Sequence, residues 1–221
     1  MTGALDATVG GVRPRVREVA TPQGPARVHV WRPVGAVATV VLGHGAGGGL
    51  GALDLTVARE VLVGSGRAVA LVEQPWLVAG RKIAGRPPTL DEAWVPVVEA
   101  LLSGRGHLPR PLVVGGRSAG ARVACRTAAA VGADAGLLLS FPLHLPGRPD
   151  RLRADELALA PDPTWVVQGS RDTFGTPEEV RPHLPPGATL VEVPGAHSFP
   201  GGSRARLVDE LTRIAGMLPG A

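Results

Sequence analysis

Leu112-Val113-Val114-Gly115-Gly116-Arg117-Ser118-Ala119-Gly120-Ala121-Arg122 is the stretch around which the chain is organised. An aliphatic, β-branched run stops at two glycines. A serine follows, and small residues then open a helical pattern. Gly116 to Gly120 is therefore G-x-S-x-G, with a strand before it and a helix after it. In such a turn the serine hydroxyl is pushed out above the end of a sheet, where a base can reach it. The flanking glycines remove side chains that would collide there. In a chain with 31 glycines and seven serines the string alone is a weak signal, and its context must carry it.

The length of 221 residues suits one α/β domain spanning 1–221 with a full core. Hydrophobic content of 44% and charged content of 19% are those of a globular protein. No apolar run is long enough to cross a membrane. The first 15 residues lack a basic segment followed by an apolar one, so no signal peptide is expected and the protein is read as cytoplasmic. The pI of 10.7 accompanies a net charge of only +4. With one lysine, no tyrosine and one cysteine, little titrates between histidine and arginine, so a small excess drives the pI up. The arginines are scattered, and no aromatic-basic platform is present, so no nucleic-acid partner is expected. The single cysteine, Cys125, excludes an internal disulfide and a multi-cysteine metal site, and is read as buried filler.

Eight strands are predicted: Arg15–Ala20, Ala26–Arg32, Ala38–Leu42, Ala68–Val72, Pro111–Val114, Gly136–Phe141, Thr164–Gln168 and Ala188–Val193. The first two form an antiparallel edge. From residue 38 onward strands alternate with helices, which argues for a mostly parallel sheet with helices on both faces. Asp54 is placed to cap the first helix. Thr89-Leu90-Asp91-Glu92 matches a capping box opening a helix that runs to about Leu102. Further helices are expected over Ala119–Ala130, near Pro177–Leu184 and over Arg204–Met217. Gln74–Pro88 and Pro142–Pro163 read as irregular. Short connections leave no room for a large lid.

A serine hydroxyl needs a general base, and the base needs an orienting acid. The strand Thr164–Gln168 is followed by Gly169-Ser170-Arg171-Asp172, and the last strand by Pro194-Gly195-Ala196-His197. Ser118, Asp172 and His197 thus each lie just past the carboxyl end of a strand, where open α/β sheets gather their ligand-handling groups. Asp150 and Glu179 are weaker candidates for the acid, since neither follows a strand directly. His29, His107 and His183 are read as solvent-facing or structural. An oxyanion would be received by the backbone N–H groups of Ala119, after the serine, and Ala46, in the loop Gly43–Gly49. His44, Gly47 and His144 are candidate pocket residues. Arg81, Lys82 and Arg86 form a basic loop, more simply a solvated one. Arg117 is expected to make a structural ion pair beneath the turn. No metal site is expected.

Two rival readings follow from the same residues. Gly43 to Gly48 also matches G-x-G-x-x-G after a strand, with Glu73 closing the next strand, as in a dinucleotide-binding unit. That reading leaves the placement of Ser118, Asp172 and His197 unexplained. The fold without catalysis, serving as an interaction module, is the other.

GHGAGGG, GGRSAG, SFPLHLPG, QGSRDTFG and GAHSF, in that order, resemble the α/β-hydrolase superfamily over roughly residues 26 to 218. The chain looks most like small bacterial hydrolases similar to the dienelactone-hydrolase branch. Relatives of that group include the hydrolase-like domain of a chromatin-complex subunit. The resemblance implies an eight-stranded, mostly parallel sheet, no cofactor, Ser118 as nucleophile, Asp172 as acid and His197 as base. Ala119 stands where relatives often carry methionine. The expected activity is hydrolysis of small or accessible esters or thioesters through an acyl-enzyme.

Overall fold

The central aliphatic runs are apolar on both sides, which commits them to a sheet covered on both faces, while the two edge runs stay partly exposed. Val40 and Leu42 join one core layer with Leu55, Leu62, Leu207 and Leu211. Val41, between them, joins the opposite layer with Trp94, Val97 and Ala124. In the computed structural model, which describes residues 7–47 and 49–220, these runs form one eight-stranded sheet. Its strands are β1 (Arg15–Val19), β2 (Ala26–Trp31), β3 (Thr39–Gly43), β4 (Ala68–Glu73), β5 (Leu112–Arg117), β6 (Ala135–Leu139), β7 (Thr164–Gly169) and β8 (Ala188–Val193). The helices are α1 (Leu53–Gly64), α2 (Pro75–Val78), α3 (Pro87–Leu102), α4 (Ala119–Val131), α5 (Ala154–Leu157), α6 (Pro177–Val180) and α7 (Arg204–Ala215). α1 and α7 cover one face; α3 and α4 cover the other.

The strand order is β1-β2-β4-β3-β5-β6-β7-β8. β2 is antiparallel to both its neighbours, and β3 to β8 run parallel. From β3 the chain moves outward to β4 and then returns to β3's other side as β5. Adjacent crossovers therefore leave in opposite directions between β3 and β5. Past the carboxyl ends of two such strands the connecting loops part and leave a crevice. The glycine-rich loop follows β3 there, and Ser118 follows β5.

Several local expectations are corrected. Asp54 is not the cap of α1: Ala52 holds that position, and Asp54 turns into the interior toward Arg117. α3 begins two residues before Thr89, with Pro87 at its first position, where proline's missing N–H costs nothing. The Thr89 hydroxyl instead donates to the Arg86 carbonyl. A capping box does form at Thr176 and Glu179, opening α6. The two irregular stretches contain the one-turn helices α2 and α5. The helix expected near Pro177–Leu184 is α6 followed by a 3-10 turn, Arg181–His183. β5 continues through both glycines to Arg117, so the serine comes directly off the strand. Gly48 and residues 1–6, where part of the glycine-rich loop and of the N-terminal reading fall, lie outside the described residues.

The helix that follows the serine is anchored electrostatically on its outer side. Glu156 accepts from Arg122 at 2.7 and 2.6 Å and from Arg126 at 2.7 Å, while Arg126 also grips Asp91 on α3. Burial pushes the Glu156 carboxyl up, but the two guanidinium groups outweigh it and hold the group below the usual glutamate value. A carboxyl depressed by folding stabilises above its unfolded value and loses that contribution as pH falls through its folded one. Glu156→Gln is therefore expected to lower stability by about 1–3 kcal/mol near neutral pH, with the gap to wild type closing below about pH 4. Urea unfolding across pH checks both parts.

Cys125, on α4, is 1% exposed and belongs to the core beneath that helix. Burial, aided by Glu156, pushes its thiol up to about 12. The folded protein is expected to be inert to a disulfide reagent such as dithionitrobenzoate at about pH 8, and the unfolded protein to react fully. Prompt reaction of the native protein would contradict this burial.

Candidate active site

Ser118 has φ 52° and ψ −110°, a conformation that L-residues rarely adopt. Its backbone N–H is held by the Leu139 carbonyl at 3.0 Å, and α4 begins at the next residue. The strain turns the hydroxyl out of the sheet toward the loop after β8. There His197 Nε2 lies 2.9 Å from Ser118 Oγ. On the ring's other side Nδ1 lies 2.9 and 3.1 Å from the two oxygens of Asp172. Pairing with a carboxylate places the proton on Nδ1 and leaves Nε2 to accept from the serine. The three expected residues are thus joined in one hydrogen-bonded line.

Asp172 is fully buried, and its oxygens accept from the Phe174 N–H at 2.8 Å and from Gln168 Nε2 at 3.1 Å. Gln168, at the end of β7, also donates to Gly175 O and Phe141 O and accepts from Phe141 N–H. It ties the acid's loop to the segment after β6. Phe174 stacks on the His197 ring with centroids 4.0 Å apart and planes at 29°. Sequence reasoning assigned no role to Gln168 or Phe174. The available signal for Gln168 is an amide in the otherwise apolar run Thr164-Trp165-Val166-Val167.

Ser118 and His197 open into a cavity of about 460 Å³ whose wall includes Ala46, Gly47, Leu53, Phe174 and Phe199. Ala46 and Gly47 therefore share one cavity wall with the serine. His44 and His144 are not in that wall; His44 lines a much smaller cavity with Ala46, Trp94 and Ala119. His44 is 3% exposed, with Nδ1 2.8 Å from Gly45 O and Nε2 accepting from Gln74 N–H at 3.1 Å. Burial lowers its pKa, so it is a neutral strut beneath the loop. His144 is 5% exposed, with Nδ1 3.0 Å from Leu145 O and Nε2 3.5 Å from Glu179. Its backbone N–H bonds Phe174 O, so it supports the acid's loop from behind. A larger concavity, about 600 Å³, is lined by Arg13, Arg15, Arg17, Arg32 and Arg105. It lies by the amino ends of the parallel strands, away from every group just described. Arg81, Lys82 and Arg86 are exposed and outside the serine's cavity. Glu73, which the dinucleotide reading requires, lies 3.4 Å from Arg27 on β2. Among the described residues, no cluster of side chains could hold a metal ion.

Arg117 makes the ion pair expected of it. Its Nε is 3.1 Å from Asp54 Oδ2. Its Nη2 donates to His197 O and to Ser198 Oγ, each at 2.8 Å.

A serine on a strained strand-to-helix turn, facing a histidine from the last strand's loop across a mostly parallel eight-stranded sheet, defines the α/β-hydrolase fold. The chain belongs to that family: the model of an alpha/beta hydrolase domain matches residues 36–210. No curated protein sequence matches it. Among solved structures it is similar to XC6422 from Xanthomonas campestris, described as a serine hydrolase without a lid. The identity is 22%, over 96% of this chain and 99% of that one, with a TM-score of 0.74. It is similar to the esterase Pf2001 of Pyrococcus furiosus at 18% identity, over 96% of each chain, with a TM-score of 0.73. A dienelactone hydrolase from Anabaena variabilis aligns at 21% identity over 91% of this chain and 96% of that one, with a TM-score of 0.71. At these identities the likeness is one of fold. Among the described residues, no helix is long and apolar enough to cross a membrane.

Proposed function

We propose that the chain is a serine hydrolase of small or accessible carboxylic esters or thioesters, working through an acyl-enzyme. The observation that carries this reading is the hydrogen-bonded line Ser118–His197–Asp172 opening onto a cavity. Ser118 Oγ attacks the carbonyl carbon while His197 Nε2 takes its proton. Asp172 keeps the ring's tautomer and stabilises the imidazolium. The negative charge that forms on the carbonyl oxygen falls to the N–H groups of Ala119 and Ala46. Ala119 is the first residue of a 13-residue helix, whose positive end favours an anion there. The imidazolium then protonates the leaving oxygen or sulfur. In the second half His197 takes a proton from water, the hydroxide adds to the acyl carbon, and Ser118 leaves with that proton.

The substrate class follows from the cavity wall. Leu53, Phe174 and Phe199 offer apolar surface, and the cavity is open to solvent. It suits a short acyl chain and leaves the leaving group free to project outward. The interaction-module reading leaves the aligned serine and histidine without a purpose.

Treatment with a fluorophosphonate probe tests the proposal. One adduct on the Ser118 peptide is expected, absent from Ser118→Ala. A folded wild-type protein that stays unlabelled would overturn the proposal and leave the fold as a non-catalytic scaffold.

A further inference from the structure

We infer that Arg117 and Asp54 act as a positioning pair for the His197 imidazole, Arg117 strapping the histidine loop to the elbow and Asp54 offsetting the charge that does so. The inference rests on the hydrolase reading above.

The loop after β8 has no regular structure, and its start is tied down from two sides. Gly195 O accepts from Arg171 N–H at 2.8 Å, and Pro194 O from Ser203 Oγ at 2.6 Å. Further along, at His197 and Ser198, the tie is Arg117 Nη2, which takes the carbonyl of the histidine itself. Arg117 immediately precedes Ser118, so nucleophile and base are referred to a single side chain. That side chain is 10% exposed. A Cβ on Gly45 would lie 2.8 Å from Arg117 Nη1, so the guanidinium is packed against the oxyanion loop as well. One planar group therefore touches the elbow, the loop after β3, the start of α1 and the histidine loop. A guanidinium's fixed fork suits such a role; an ammonium at the end of a flexible stem cannot bond in several fixed directions at once.

The charges are arranged with equal economy. The charged groups facing His197 are Asp172 from the β7 loop, Arg117 from β5 and Asp54 from α1. Arg171 is exposed and meets the loop only through its backbone. Asp54 is 1% exposed, and its Oδ1 accepts from Leu55 N–H at 2.9 Å. Burial pushes its carboxyl up, and Arg117 is the largest influence holding it down. The two opposed groups sit together, 3.1 Å apart, where the guanidinium meets the histidine's backbone. Removing the Asp54 charge leaves the guanidinium at the histidine's carbonyl without its counter-charge, which disfavours a second positive charge on that residue.

Two nearly isosteric variants separate positioning from packing. Arg117→Lys keeps the charge and loses the fork. Its kcat for a short p-nitrophenyl ester is expected to fall on the order of 10–100-fold with KM nearly unchanged, because a displacement near 1 Å is that costly to a reacting pair. The acid limb of its kcat/KM profile should stay in place. Asp54→Asn keeps the shape and loses the charge, and its acid limb should move to lower pH by roughly half a unit or more. Should Asp54→Asn not fold, Ser198→Ala removes one of the two Nη2 bonds without altering charge, and a few-fold loss confined to kcat is expected. Variants that melt earlier yet keep wild-type kcat, KM and acid limb would reduce the pair to packing and overturn the inference. Fluorophosphonate labelling keeps the two readings apart. An unlabelled wild type defeats the hydrolase reading, whereas labelling of wild type and both variants at one rate defeats only this inference.

Discussion

Replacing Ser118 with alanine is expected to reduce ester hydrolysis by about four to six orders of magnitude while leaving the fold intact. The hydroxyl's bond is to His197 Nε2, at 2.9 Å, and the backbone around it is held independently, by Leu139 O and by the start of α4. Alanine inherits the same strained φ without adding bulk. His197→Ala should lose a similar amount, because a hydroxyl without its base is nearly as inert as no hydroxyl. The double variant should then be scarcely worse than either single one, since residues that act as a unit are strongly non-additive. Initial rates with short p-nitrophenyl esters, beside circular dichroism of each variant, provide the measurement. Losses that multiply in the double variant would mean the two side chains do not share one step.

The largest expected effect on stability comes from one methyl group. Gly116 has φ 143°, and a Cβ there would lie 2.3 Å from Gly43 O and 2.6 Å from Gly43 N. Gly43 is its sheet partner on β3, at the centre of the molecule, and both obstructing atoms are backbone. No side chain can rotate away. Relief would require the central strands to part at the point where the glycine-rich loop and the Ser118 turn begin. Gly116→Ala is accordingly expected to cost more than about 4 kcal/mol, enough to keep many domains from accumulating in folded form. Gly64, the last residue of α1, has open space around the same hypothetical atom. Gly64→Ala should be neutral or stabilise by up to about 1 kcal/mol, because alanine loses less backbone freedom in a helix. Denaturant midpoints of the two variants test the contrast directly.

Much of the architecture was legible because its signals are local. A strand buried on both faces must be a continuous apolar run, and each run predicted from that pattern is a strand of the sheet. The loops carrying Ser118, Asp172 and His197 could be named because a chain leaving a strand end is visible in its composition. Where a signal could be satisfied in more than one way, the local reading failed. Asp54 has the chemistry of a helix cap, but Arg117, 63 positions later in the chain, offers it an ion pair. Thr89 heads a plausible capping box, yet Pro87 opens α3 first. That His44 and His144 lie in strand-end loops was legible; their burial and their backbone partners were not.

By itself the sequence determined the eight strands, the helices between them and the order serine, acid, histidine along the chain, since each depends on neighbours in sequence. Only the tertiary structure decided the reversal of winding between β3 and β5, which opens the crevice where the loops meet. It also decided that Gln168 and Phe174 brace the acid and the imidazole, and that one guanidinium beside the serine reaches the histidine's own carbonyl. Those relations join residues dozens of positions apart, and no local pattern of apolar, charged or turn-forming residues reports a contact that exists only once the sheet has assembled.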